Sequence, residues 1–192
     1  MSMMIALKDV LVVMALQIEA GELIKNKDIN LIFCGIGKVN ATYELTKKLK
    51  DFRPALVLNL GTAGSSKFPR NKLVAAHRFI QRDMDVTGLG FEKHRTPFDP
   101  TPTVIEHKSF FPELQNGLCG SGDRFETLDG HVAEIIDMEA YALAKVCWKE
   151  GIDFACVKYI SDGGDSNAAA DWKDSIKKIS SEFDVFLREK FE

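Results

Sequence analysis

Residues 135–162 read IIDMEAYALAKVCWKEGIDFACVKYISD. The stretch reads as one α/β unit: an apolar helix over Asp137–Glu150, then a buried strand over Phe154–Ile160. Asp137 stands where a helix N-cap belongs, and Gly151 where a C-cap belongs. Two carboxylates sit at the seams. Glu139 falls in the first turn of the helix, and Asp162 just past the end of the strand. A carboxylate in apolar company is costly unless it is partnered, so each needs a ligand or a structural reason.

The same alternation opens the chain. Val10–Leu16 is a continuous apolar run, as expected of a strand buried on both faces. Ile18–Lys25 reads as a short helix, Asn30–Cys34 as a second strand, and Lys38–Lys50 as an amphipathic helix. Ala55–Leu60 is a third buried strand after Pro54. Strand and helix alternating at this spacing imply a parallel sheet with helices on its faces. The middle differs. Lys72–Arg82 and Asp85–Leu89 read as strands, Thr96–Thr103 with its three prolines as loop, and Val104–Phe111 and Gly117–Gly120 as short strands. Asp171–Lys190 closes the chain as an amphipathic helix, with Trp172, Ile179, Phe183 and Leu187 on its apolar side.

The length of 192 residues fits a single domain over residues 1–192, large enough for a substantial core. A net charge of −3, with Lys and Arg scattered among acids, is unlike the basic balance of a nucleic-acid binder. No apolar run is long enough to span a bilayer. The opening MSMMIALKDVLVVMAL lacks the basic region and cleavage site of a signal peptide and reads as a leader into the first strand. Four cysteines (34, 119, 147 and 156) sit in or beside apolar segments without metal-ligand spacing, the pattern of small buried residues in a reducing cytoplasm. The four histidines are dispersed too, so no metal site is expected.

Two glycine motifs follow strands. GIGKVN (35–40) opens a helix, a context suited to anion binding, although glycines that let the chain turn explain it equally well. It lacks the third glycine of a dinucleotide fingerprint and the GK[ST] of a P-loop. NLGTAGSS (59–66) pairs small residues with the hydroxyls of Thr62, Ser65 and Ser66, which favours close approach of a ligand at a strand's C-terminal end. Glu19 follows the first strand, where a helix dipole alone would stabilise it. Three acids near one sheet edge suit chemistry on a glycosidic bond. One protonates the leaving group, one activates water, and one holds sugar hydroxyls facing an oxocarbenium-like transition state. Phe125, in CGSGDRFET, is equally a candidate for stacking on a planar leaving group and for the core.

Taken in order, MALQIEAGEL, GIGKVNA, NLGTAGS, RDMDVTGLGFE, CGSGDRF, DMEAYALAKVC and VKYISD resemble the purine nucleoside phosphorylase/nucleosidase superfamily. Within it the chain is most similar to 5′-methylthioadenosine/S-adenosylhomocysteine nucleosidases. The resemblance, with the strand–helix alternation, implies an α/β fold: three layers, with a mixed, mostly parallel central sheet flanked by helices. It implies that Glu19 activates water at C1′, that Asp162 protonates N7 of adenine with help from Ser161, and that Glu139 binds the 2′ and 3′ hydroxyls with Met138 packed on the ribose. Phe125 would stack on adenine, and Thr62, Ala63 and Gly64 would line the pocket.

The implied reaction hydrolyses an adenine nucleoside with a modified 5′ carbon: methylthioadenosine, S-adenosylhomocysteine or 5′-deoxyadenosine. It needs no cofactor, and the resemblance implies a cytoplasmic homodimer. The chain departs from the resemblance in being shorter, in lacking a helix over Thr103–Gly117, in a compressed Thr127–Ile136, and in carrying Glu126 and Lys158 where an apolar residue and an arginine are usual. Competing readings are a phosphate-dependent phosphorylase of the same fold, for which MALQIEAG offers a glutamate and no arginine, and a non-catalytic nucleoside-binding protein.

Overall fold

The apolar runs become a mixed eight-stranded sheet in the computed structural model, which describes residues 5–124, 132–163 and 168–191. The strands are β1 (Val10–Met14), β2 (Asn30–Phe33), β3 (Leu56–Gly64), β4 (Leu73–Gln81), β5 (Ile105–Glu106), β6 (Asn116–Ser121), β7 (Ile135–Asp137) and β8 (Asp153–Asp162). The helices are α1 (Gln17–Ala20), α2 (Lys38–Lys48), α3 (Ala140–Glu150) and α4 (Ala168–Phe191), and a 3₁₀ turn over Gly21–Lys25 continues α1.

β2, β1, β3 and β8 run parallel, as the opening alternation implies. β8 also pairs antiparallel with β4, and β3 pairs antiparallel with β7 at Gly64–Ile136. With β4–β6 and β6–β7 parallel, the path β3–β7–β6–β4–β8 returns to β3. The sheet is mixed, as expected, and it is also partly closed. The closure comes from β8, which pairs parallel with β3 and antiparallel with β4.

Alternation along β1 divides the core. Leu11 and Val13 pack with Ala41 and Leu45 of α2 and Leu143 and Cys147 of α3. Val10, Val12 and Met14 pack with Ile179, Phe183 and Leu187 of α4. Each Val, Leu, Ile, Phe or Met among them contributes about 1.5–3 kcal/mol when fully buried, and the two clusters lock the ends of β1, β3 and β8 in fixed relation. Among the described residues no helix is long and apolar enough to cross a membrane.

Several boundaries differ from the sequence reading. Asp137 ends a short strand instead of beginning the helix, and α3 starts at Ala140. Asp137 still caps that helix from outside, because its Oδ2 accepts the Ala140 N–H at 2.9 Å. Asp162 is the last residue of β8 rather than the residue beyond it. Residues 85–89 form no strand but end in a 3₁₀ turn over Thr87–Leu89. Only Ile105–Glu106 of the stretch 104–111 is strand.

Gly21 joins α1 to the 3₁₀ turn at φ +48°, ψ −120°, where a Cβ would lie 2.4 Å from Ser180 Cβ of α4. Both the backbone and the close approach require glycine. Gly21→Ala should lower unfolding free energy by roughly 2–3 kcal/mol in a urea titration; an unchanged midpoint would contradict this packing.

Candidate active site

The C-terminal ends of β3 and β8 lie side by side, in register from Leu56–Asp153 to Ala63–Ile160. There the register shifts, and Gly64 pairs with Asp162. Ser161 is the extra residue of a bulge, and bulges re-aim side chains. The bulge lets the consecutive Ser161 and Asp162 both face one cavity of about 260 Å³. Glu19, Thr62, Ala63 and Gly64 line the same cavity. So do Met138 and Glu139. The expected residues therefore meet, except Phe125, which lies outside the described residues, as do Glu126 and residues 127–131.

Glu19 is buried, 2% exposed, at the third position of α1. Its Oε2 accepts the Leu16 N–H at 3.1 Å, half of a capping box. Its Oε1 turns to β3 and accepts the Thr62 N–H at 3.1 Å and the Thr62 hydroxyl at 2.9 Å. The helix-end explanation thus accounts for one oxygen, and the other is held at the cavity wall.

Glu139 occupies the N-cap position of α3, 7% exposed, and its Oε1 accepts the Gly37 N–H at 2.8 Å. The neighbouring Lys38 N–H donates to Asp123 Oδ1 at 2.7 Å. The glycine motif at 35–40 is therefore an anion site whose anions are carboxylates of this chain. Gly37 has φ +92°, and a Cβ there would lie 3.0 Å from Asp123 Oδ1, so this approach too requires glycine.

Asp162 is 5% exposed and accepts the Ser161 hydroxyl at 2.7 Å. The same hydroxyl has a second acceptor in Ala63 O at 3.3 Å. Ser175 of α4 donates to the Ser161 carbonyl at 3.1 Å and holds the bulge from behind.

Under these acids lies a buried ion pair. Lys158 Nζ stands 2.8 Å from Asp137 Oδ2, with the side chains 2% and 1% exposed. Asp137 Oδ1 also accepts the Ser121 hydroxyl at 2.5 Å. Burial works against the charge on Lys158, but Asp137 and the other nearby groups outweigh it and hold the ammonium well above its usual range. Burial likewise opposes the Asp137 charge, and Lys158 with the hydrogen bonds brings its carboxyl below the usual range. Glu139 has the opposite fate: burial first, then the adjacent Asp137 charge, pushes it up to about 7.

The sequence reading missed several residues of the cavity wall, among them Lys158, Asp137, Trp172, Arg82 and Arg124. Lys158 and Asp137 both line the cavity, and the signal for them is a lysine in the middle of an apolar strand, which requires a buried counter-charge. Trp172, expected on the apolar side of α4, lines the cavity instead and donates its indole N–H to Thr62 Oγ1 at 3.0 Å. Helical spacing alone does not separate a core-facing ring from a site-facing one. The four cysteines are buried, and burial pushes the Cys34 and Cys156 thiols up to about 12, so neither is an activated nucleophile. Among the described residues no three or more His, Cys, Asp or Glu side chains gather as metal ligands.

Comparison with known proteins gives the family and supports the fold. The phosphorylase superfamily matches residues 12–189. A 5′-methylthioadenosine/S-adenosylhomocysteine nucleosidase of Haemophilus influenzae (strain 86-028NP) is 31% identical over 174 residues, covering 80% of this chain and 76% of that protein. The crystal structure of the Helicobacter pylori 5′-methylthioadenosine/S-adenosylhomocysteine nucleosidase with butyl-thio-DADMe-Immucillin-A superposes with a TM-score of 0.84 at 21% identity, covering 94% of this chain and 96% of that one. Futalosine hydrolase of the same species superposes with a TM-score of 0.80 at 21% identity, covering 91% and 94%. At these identities the two structures bear on the fold alone.

The raised Glu139 makes a stability prediction. The native state binds this proton more tightly than the unfolded chain, whose value is near 4.5. Stability from this group is therefore greatest below pH 4.5, falls as pH rises, and is lost above about 7. Glu139→Gln keeps an acceptor for Gly37 and removes the charge. Relative to wild type, its unfolding free energy should rise by a few kcal/mol between pH 4.5 and 7.5; a pH-independent difference would contradict the assignment.

Proposed function

This chain belongs to the phosphorylase superfamily, and we propose that it is an N-glycosidase that hydrolyses an adenine nucleoside with a modified 5′ carbon and releases adenine. The observation that carries this reading is the convergence of Glu19, Glu139 and Asp162 on one cavity, each held by different partners.

In this reading Glu19 is the general base. Its Oε1 already carries two donors from Thr62, whereas Oε2 carries one, from Leu16. A carboxylate oxygen has two lone pairs, so Oε2 is the atom left to take a proton from water as it attacks C1′. Asp162 is the acid that protonates the leaving adenine at N7. Ser161 serves both of its states: while Asp162 holds the proton the hydroxyl points to Ala63 O, and once the carboxylate is left behind the hydroxyl turns to it. Glu139 accepts the two ribose hydroxyls, Met138 lies against the sugar, Ala63 and Gly64 border it, and the negative cluster faces the developing oxocarbenium charge. No cofactor enters the chemistry.

The phosphorylase alternative requires an anion site for phosphate. The Thr62 donors are bonded to Glu19, and the Gly37 and Lys38 N–H groups to Glu139 and Asp123. A phosphate brought to either place would meet a carboxylate, which supports water as the nucleophile. Methylthioadenosine is the first candidate substrate, in keeping with the relative that is 31% identical over 174 residues, followed by S-adenosylhomocysteine and 5′-deoxyadenosine. We further propose that the protein works in the cytoplasm as a homodimer; Val39 and Tyr43, 77% and 62% exposed on α2, supply an apolar surface for it.

Incubation with methylthioadenosine, S-adenosylhomocysteine, adenosine and inosine, with and without phosphate, should release adenine from the first two regardless of phosphate. Strict phosphate dependence, or binding without release of base, would contradict the proposal. Asp162→Asn should lower kcat by roughly 10²–10⁴-fold; a wild-type rate in that variant would remove the acid from the mechanism.

A further inference from the structure

Trp172 has no part in the chemistry described so far, yet its ring lines the cavity and its indole N–H donates to Thr62 Oγ1 at 3.0 Å. We propose that Trp172 is a positioning residue that acts through Thr62 on Glu19, polarising the Thr62 hydroxyl toward the carboxylate. The proposal rests on the reading of Glu19 as the base. An indole nitrogen only donates, so Thr62 Oγ1 must accept from it. The threonine has a single hydroxyl proton, and Glu19 Oε1 lies 2.9 Å away. An ionised carboxylate only accepts. The three groups are thereby polarised in one direction, from Trp172 through Thr62 to Glu19, and each bond strengthens the next.

The consequence is a division of labour between the oxygens of Glu19. With the Thr62 N–H at 3.1 Å as well, Oε1 is saturated and serves as the anchor. Oε2 is then the working atom. Without the indole N–H, the Thr62 hydroxyl loses the donor that polarises it, and its bond to Glu19 Oε1 weakens. The relay also ties three separate segments of the chain together: α4 supplies Trp172, β3 supplies Thr62 and α1 supplies Glu19.

Trp172→Phe keeps an aromatic ring and removes the donor. It should lower kcat on the order of fivefold while KM for methylthioadenosine changes less than about twofold. Thr62→Val should cost more, since it removes the hydroxyl itself, and in that background Trp172→Phe should have no further effect on kcat. A second readout does not depend on turnover. In ¹⁵N-labelled protein the indole resonance that disappears in Trp172→Phe should shift in both Thr62→Val and Glu19→Gln. Wild-type kcat in Trp172→Phe, equal losses in the two backgrounds, or an indole resonance unmoved by Thr62→Val would each overturn the relay. If Glu19→Gln retains wild-type turnover, the reading of Glu19 as base fails instead, and the resonance still decides whether the relay exists.

Discussion

One buried ammonium sets the terms for this site. Lys158 sits in the middle of β8 with its Nζ 2.8 Å from Asp137, both side chains almost wholly out of solvent. Removing one partner of such a pair leaves an uncompensated buried charge, a cost of about 3–5 kcal/mol. The pair does more than neutralise itself. Asp137, kept ionised by Lys158, binds the Ala140 N–H and the Ser121 hydroxyl, and Ser121 in turn accepts the Tyr141 N–H at 2.8 Å. The first turn of α3 is thereby pinned to β6 and β7, and Glu139 at its N-cap is aimed at α2. The same ionised Asp137 is the neighbour that, after burial, holds Glu139 near neutrality.

The partly closed sheet is what makes that concentration of charge possible. By pairing with both β3 and β4, β8 brings its own end, the end of β3 and the short β7 to one place. Acids delivered from α1, α3 and β8 then face a common space, and each is anchored by backbone or hydroxyl donors rather than left bare. Helix N-termini that in other α/β proteins receive a ligand's phosphate here receive internal carboxylates. The site is thus prepared for a ligand that brings hydroxyls and a developing positive charge.

Much of this was legible in the sequence. The parallel pairing of β1, β2, β3 and β8 follows from buried apolar runs alternating with helical ones, and the seams at 139 and 162 marked their acids as unexplained. What escaped had physical reasons. Asp137 could be read as a helix cap because it does cap α3, from a strand position that local periodicity cannot distinguish. The antiparallel closure depends on long-range pairing of β8 with β4, for which no local signal exists. Trp172 has the spacing of a core residue, and its direction is decided by how α4 lies on β8. The Ser161 bulge is likewise invisible in ISD, because a bulge is a relation between two strands.

The account makes water the nucleophile because the Thr62, Gly37 and Lys38 donors already hold carboxylates of this chain. The most direct measurement is the mass of the sugar product formed from methylthioadenosine in a phosphate-containing buffer. The account predicts free 5-methylthioribose. A product carrying phosphate at C1 would contradict it.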